Sequence, residues 1–252
     1  MCTLAVALGQ DRRWPVVVAA NRDERLGRQA EGWALRETPA GTRYAAPRDV
    51  LAGGTWIGVS SRAVLAALTN YHAPFDWYPD PERRSRGDIV GLALAAPDAS
   101  AARSALFAER AEAWNPFHLV VADAKGAFLW WYDGERSGFE TLGPGLHVVT
   151  ESDRAGRGPR ADLVRARWPT DLAPERLQLM LGSHAGPDGT PPGILHPHGP
   201  GLRHALLGRA APHRGRHHLR ALRLRHPPLP RADGGPLRAP PGARAHLTRR
   251  RG

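Results

Sequence analysis

The sequence predicts an α+β fold of two antiparallel sheets packed face to face with helices outside, and three observations predict it. Short apolar, β-branched runs fill much of the first 70 residues and are too apolar for a sheet with one wet face. Helical patterning occupies 87–114, strand patterning returns over 117–150, and helical patterning resumes over 160–183. That order, β-rich, α, β-rich, α, suits stacked sheets rather than a doubly wound parallel sheet.

Thr3 to Leu8 and Trp14 to Ala20 read as a hairpin around Gly9-Gln10-Asp11. Gly53-Gly54-Thr55 opens a second pair, Trp56 to Val59 and Ala63 to Thr69, joined through Ser60-Ser61-Arg62. The first helix, Gly87 to Ala96, is entered through Ser85 with Asp88 three residues on. In the second, Ser100 to Trp114, Ala, Leu and Phe recur at helical spacing until Pro116. Phe117 to Ala122, Ala127 to Tyr132 and Leu146 to Thr150 are strands, with turns at Ala124-Lys125-Gly126 and Asp133-Gly134. Arg160 to Trp168 and Pro174 to Ser183 are helices.

The formal charge of +11 would ordinarily point to nucleic acid or a membrane surface. Its distribution argues otherwise. Residues 1–193 carry 22 Lys and Arg against 23 Asp and Glu, whereas 194–252 carry 13 Arg against one acid, Asp233. Every Trp, Tyr and Phe precedes this boundary, so the basic segment has no aromatic with which to build a core or stack a base. The division is thus a folded domain over 1–193 and an Arg/His/Pro-rich disordered tail over 194–252. A lone cysteine excludes an internal disulfide, no stretch has the make-up of a signal peptide, and no apolar run approaches the roughly 20 residues of a membrane span. The expected location is the cytoplasm.

Cys2 is the first candidate for chemistry. Residues as small as Cys next to the initiator permit its removal, which gives Cys2 a free α-amino group. With an ordinary pKa of roughly 7.7–8, that amine can take the thiol proton of the same residue, so nucleophile and base reside together. The competing reading is a small apolar residue at the start of an edge strand.

Asn21-Arg22-Asp23-Glu24 follows the second strand, and with Met1-Cys2-Thr3-Leu4, Leu51-Ala52-Gly53-Gly54-Thr55-Trp56-Ile57-Gly58 and Ala66-Ala67-Leu68-Thr69-Asn70 it resembles the NRDE family, also called the transport and Golgi organisation 2 family. The resemblance covers at least 1–193 and implies an N-terminal-nucleophile (Ntn) hydrolase-like fold in αββα layers. In such a fold the hairpin brings Thr3 opposite the end of the second strand, and Arg22 and Asp23 close to Cys2. A guanidinium there favours the thiolate, and a carboxylate holds the α-amino group. Asn21 belongs to the same candidate site, with Glu24 and Arg25 fixing the loop; a turn of mutually paired charges is the alternative. Asn70, at a strand end, offers an amide to a developing oxyanion. Related cysteine amidases, such as conjugated bile salt hydrolases and penicillin V acylases, carry Asn near the positions of Ser60 and Glu151. Ser retains one donor there, but a Glu anion cannot serve as an amide donor.

Two functions follow. One is a cysteine hydrolase of an amide or thioester bond in a small molecule, with no cofactor required. The other, by resemblance, is a non-catalytic protein that binds or traffics haem, acyl-CoA or lipid. His72, His118 and His147 lack metal- or haem-ligand spacing, Trp56, Trp130 and Trp131 read as core or pocket wall, and no phosphate loop is present. Nucleic acid is a poor partner because the basic charge is confined to the tail. The composition of that tail is that of a GC-rich gene read out of frame. Codons for residues 201–207 exist that, shifted by one nucleotide, encode Gly-Tyr-Gly-Thr-Arg-Ser, similar to the GTRS motif expected near the family's C-terminus. On that reading the last strands of the sheet are missing.

Overall fold

The computed structural model describes residues 2–25, 28–72, 79–182, 202–206 and 222–224. One sheet is built from β1 (Thr3–Asp11), β2 (Trp14–Arg25), β10 (Gly145–Thr150) and two short strands, β11 (Leu202–Leu206) and β12 (Leu222–Leu224). Its order is β10-β1-β2-β11, with β12 also on β2. The other runs in order through β3 (Ala30–Glu37), β4 (Arg43–Asp49), β5 (Ile57–Ser60), β6 (Leu65–Asn70), β7 (Phe117–Ala122), β8 (Ala127–Tyr132) and β9 (Ser137–Leu142). All of these pairings are antiparallel.

Alternation along the strands sorts the core into three layers. Leu4, Val6, Val16 and Val18 of the first sheet meet Leu65, Val120 and Leu129 of the second. The intervening residues Ala5, Ala7, Val17 and Ala19 face Val164, Leu177 and Met180 of α3 (Pro159–Arg167) and α4 (Pro174–Leu181). On the far side, Ala66, Leu119 and Trp130 meet Ile89, Leu94 and Leu106 of α1 (Gly87–Ala95) and α2 (Ala99–Phe107). The layer order is therefore α-β-β-α, as expected.

Several boundaries differ from the sequence reading for local reasons. The hairpin turn falls at Arg12-Arg13, where the Asp11 carboxylate accepts from Arg13 N–H at 2.7 Å, and Gly9, at φ 66°, lies within a register shift. Ala63 does not begin a strand: at φ 62° it occupies the left-handed position of the β5–β6 turn, so β6 starts at Leu65. Arg86, not Ser85, caps α1, and no side chain accepts from its first turn. The second helix ends at Phe107 and gives way to a 3-10 turn over Ala111–Ala113. Strands β3, β4 and β9 were not read from the sequence; β3 and β9 are edges, partly wet, and lack an apolar alternation to betray them. Strand β2 runs on through Arg25, so Asn21–Arg25 is extended strand rather than turn. Most of 194–252 lies outside the described residues; the eight that are described pair with β2, covering an edge whose open N–H and C=O groups are available to any extended segment.

Gly87 and Gly54 touch through their backbones. A Cβ on Gly87 would lie 2.9 Å from Gly54 Cα and 2.9 Å from Thr55 N, and neither can yield as a side-chain tip can. The Gly53-Gly54-Thr55 turn thereby docks the start of α1 flush against the second sheet. Gly87→Ala is expected to cost roughly 1–3 kcal/mol by overpacking, read as a lower urea midpoint at unchanged slope; an unchanged midpoint would contradict this docking.

His118 ties the two sheets together: from β7 its Nδ1–H donates to Thr150 O at 3.0 Å, at the end of β10. Burial, opposed by this hydrogen bond, pushes its pKa down to about 4. The folded state therefore binds fewer protons than the unfolded chain, whose His titrates near 6.5, and the stability His118 supplies is lost as pH falls through 6.5 toward 4. Between pH 7.5 and 5.5 the unfolding free energy is expected to drop by on the order of 1 kcal/mol, and His118→Gln should remove that component. A wild-type chain whose stability is flat across this window would refute the assignment.

Candidate active site

The β1–β2 register pairs Thr3 with Asn21, and one more step along the hairpin sets Cys2 across from Arg22. Strand alternation then decides which neighbours share its space. Arg22 follows Val16, Val18 and Ala20 on the face toward the second sheet, and Asn21 follows Val17 and Ala19 toward α4. Asn21 is buried, and its Nδ2 donates to Leu181 O at 3.1 Å. It stands outside the cavity that holds Cys2, so its work is to fasten α4 to the sheet. Asp23 is part of β2, with a backbone partner at His204.

Cys2 opens on a cavity of about 320 Å³ between the Cys2 end of the first sheet, the turn before β5 and the start of α1. Arg22, Trp56, Asn70, Arg86 and Asn115 line it. The volume suits a small molecule or one end of a longer one.

One carboxylate organises its floor. Asp49 Oδ2 accepts from Arg22 Nη2 and from Arg28 Nε, each at 2.7 Å. Its Oδ1 accepts from Leu51 and Ala52 N–H at 3.1 and 3.0 Å, which folds the turn leading to Gly53-Gly54. Burial alone would raise the Asp49 carboxyl, but the Ala52 N–H and Arg28 prevail and hold it below the usual value. Glu24 Oε2 accepts from Arg22 at 3.2 Å. Arg22 also lies 4.3 Å over the Trp56 ring. Its charge is therefore shared between two carboxylates and a ring.

Asn70, ending β6, projects into the cavity wall, and its side-chain amide engages none of the described residues. Across from it the rim over 79–84 is pinned by Asn115, whose Oδ1 accepts from Asp80 N–H at 2.9 Å while its Nδ2 donates to Asp80 O at 2.8 Å. Arg86 sends Nη1 to Pro116 O at 3.1 Å.

Ser60 works in a turn rather than at the cavity. It lies outside the cavity, and its Oγ accepts from Arg62 and Val64 N–H to close the β5–β6 turn. Glu151 is buried and likewise absent from the cavity wall. His72, His118 and His147 do not line the cavity, although His72 is near enough for the charges of Arg86 and Glu24 to act on it, and among the described residues no group of His, Cys, Asp and Glu is arranged to hold a metal ion. Trp130 is core and Trp131 half-buried under Arg154; Trp56 alone of these three lines the cavity. Sequence reasoning missed Asp49, Asn115 and Arg86. For Arg86, the sequence reading enters α1 through Ser85 and gives its neighbour no role. Asp49 and Asn115 act through folding partners 27 and 35 residues away, which no local pattern reports.

A model of the family described as Transport and Golgi organisation 2 matches residues 1–168. The Transport and Golgi organization 2 homolog of Mus musculus is 33% identical over 146 residues, covering 54% of this chain and 50% of that protein. The human homolog is 34% identical over 125 residues, covering 46% and 43%. The chain thus spans about half the length of the curated relatives it matches. Among solved structures, the Caenorhabditis elegans N-acylethanolamine-hydrolyzing acid amidase ortholog superposes with a TM-score of 0.50 over 73% of this chain and 86% of that one, at 12% identity. At that identity the likeness is one of fold, and the fold is that of the Ntn hydrolases. Among the described residues no helix is long and apolar enough to cross a membrane. The match across two thirds of the sequence and the hairpin that carries Asn21–Glu24 beside Cys2 lead to one conclusion: the chain belongs to the Transport and Golgi organisation 2 family.

Proposed function

We propose that this protein is a cysteine hydrolase of the Ntn type that cleaves an amide or thioester bond in a small molecule. The observation that carries the reading is the convergence of Cys2, Asn70 and a ring of guanidiniums on one cavity at the end of the β1–β2 hairpin. After loss of Met1, the α-amino group takes the Cys2 thiol proton, and Sγ attacks the substrate carbonyl carbon. Asn70 Nδ2 donates to the oxyanion that forms. The α-ammonium returns its proton to the departing amine or thiolate, leaving a thioester on Cys2. Water, deprotonated by the same amine, then releases the carboxylic acid and restores the thiol. Fold alone does not select this chemistry over binding without turnover. The Asn70 amide, which engages none of the described residues, favours it, since an open donor in a pocket wall is suited to a charge that arises during reaction.

Binding of haem or an acyl thioester without turnover is the competing outcome. The purified full chain is expected to have lost Met1 by intact-mass spectrometry and to hydrolyse a short acyl thioester panel, with Cys2→Ala inactive and Asn70→Ala slowed by roughly 10²–10³ in kcat. Retention of Met1, or turnover that survives Cys2→Ala, would remove the hydrolase reading.

A further inference from the structure

The charge of the cavity is not balanced by its own walls. Among the described side chains, five guanidiniums, Arg22, Arg28, Arg83, Arg84 and Arg86, face three carboxylates, Glu24, Asp49 and Asp80. Four of the arginines are spoken for. Arg22 and Arg28 share Asp49, Arg83 lies 3.4 Å from Asp80, and Arg84 pairs with Glu109 at 3.4 Å beyond the rim.

Arg86 differs from them. Among the described residues it has no carboxylate within ion-pair distance, Glu24 acting on it only from farther off, and the one hydrogen bond described for it goes from Nη1 to a main-chain carbonyl, Pro116 O. The Nε and Nη2 edge of the fork is unengaged among the described residues. Burial and the neighbouring Arg28 push Arg86 down to about 10, so it stays charged at neutral pH, and it is close enough to Cys2 to feel the charge of a thiolate there. A half-buried guanidinium with no described carboxylate in contact is costly to keep. A thiolate offsets one charge at most, and only while the adjacent amine is neutral; with the proton on that amine, Cys2 contributes no net charge and the imbalance returns.

We infer that Arg86 is the binding residue for a carboxylate on the substrate, so that the cavity selects molecules carrying a free carboxylate near the bond that Cys2 attacks. The planar, two-oxygen geometry of a carboxylate matches the open Nε–Nη2 edge, which a single donor would not require. Size agrees, since a cavity of about 320 Å³ takes a short acyl chain with one terminal carboxylate. The position of Arg86 is itself secured, because it caps α1 just where Gly87 rests on Gly54. This inference rests on the cavity being the substrate site, as proposed above, but it needs no turnover.

The test therefore uses the full chain with Cys2→Ala, titrated calorimetrically at fixed ionic strength with glutarate, its neutral analogue glutaramide, and inorganic phosphate. Glutarate is expected to bind at least about tenfold tighter than glutaramide, equivalent to ~1.4 kcal/mol, and tighter than phosphate. Arg86→Met should bring glutarate to the level of glutaramide, and Arg86→Lys should recover part of the difference as a point charge without the fork. Should Arg86→Met fail to fold by circular dichroism, the glutarate to glutaramide ratio and the Lys variant still decide. Equal affinity for the two, tighter binding of phosphate than of glutarate, or a ratio indifferent to Arg86 in a folded variant would each overturn the inference. A Cys2 that proves unreactive would leave this readout standing, so the two failures are distinguishable.

Discussion

The Asp49 carboxylate, shared between Arg22 and Arg28, is the interaction on which the Cys2 end of the molecule depends. It joins β2 of one sheet to the end of β4 in the other, and its second oxygen folds the turn that delivers Gly53-Gly54 to α1. Both Arg22 and Asp49 are buried, at 6% exposure each, so neither charge can turn to water if the other is lost. Removing one member of such a pair costs roughly 3–5 kcal/mol, even though the intact pair adds little to net stability. Its value is positional. It holds the two sheets in one relation at the place where the hairpin end, the β5 approach and the helix start leave a cavity between them.

This explains why the family motif reads as it does. Arg22 is buried strand whose guanidinium lines the cavity while bound to Asp49, and Glu24 serves it from two residues on. Asn21 faces the opposite layer and fastens α4. Successive residues of one motif thus serve opposite faces of a sheet, which period-two alternation makes inevitable. The guanidinium left open to the cavity comes instead from Arg86, at the entrance of a helix more than sixty residues further along the chain.

What was legible in the sequence follows from how local each cause is. The hairpin Thr3–Ala20, the strands at 117–122 and 127–132 and all four helices are written in apolar periodicity, and the αββα layering follows from their order and from the family resemblance. The wet edge strands Ala30–Glu37 and Ser137–Leu142 carry no such pattern, because one face and one edge of each meet water. At the site, Cys2 beside Arg22 could be placed because hairpin register is a local property, and Asn70 because its strand ends where apolar character does. Arg86, Asp49 and Asn115 could not, since what matters about them is a partner far along the chain. That Asn21 faces away from the cavity could not be read for the converse reason: a plausible residue at a plausible place says nothing about which side of the strand it faces.

The central claim is that Cys2, in this cavity, carries an acyl group during turnover. The direct measurement is intact-mass spectrometry of the protein quenched in acid within the first turnovers of a carboxylate-bearing thioester, followed by peptide mapping. The account predicts a mass increase of one acyl group, located on an N-terminal Cys2 and absent from Cys2→Ala. An unmodified protein under turnover, or an acyl group mapped to any other residue, would contradict it.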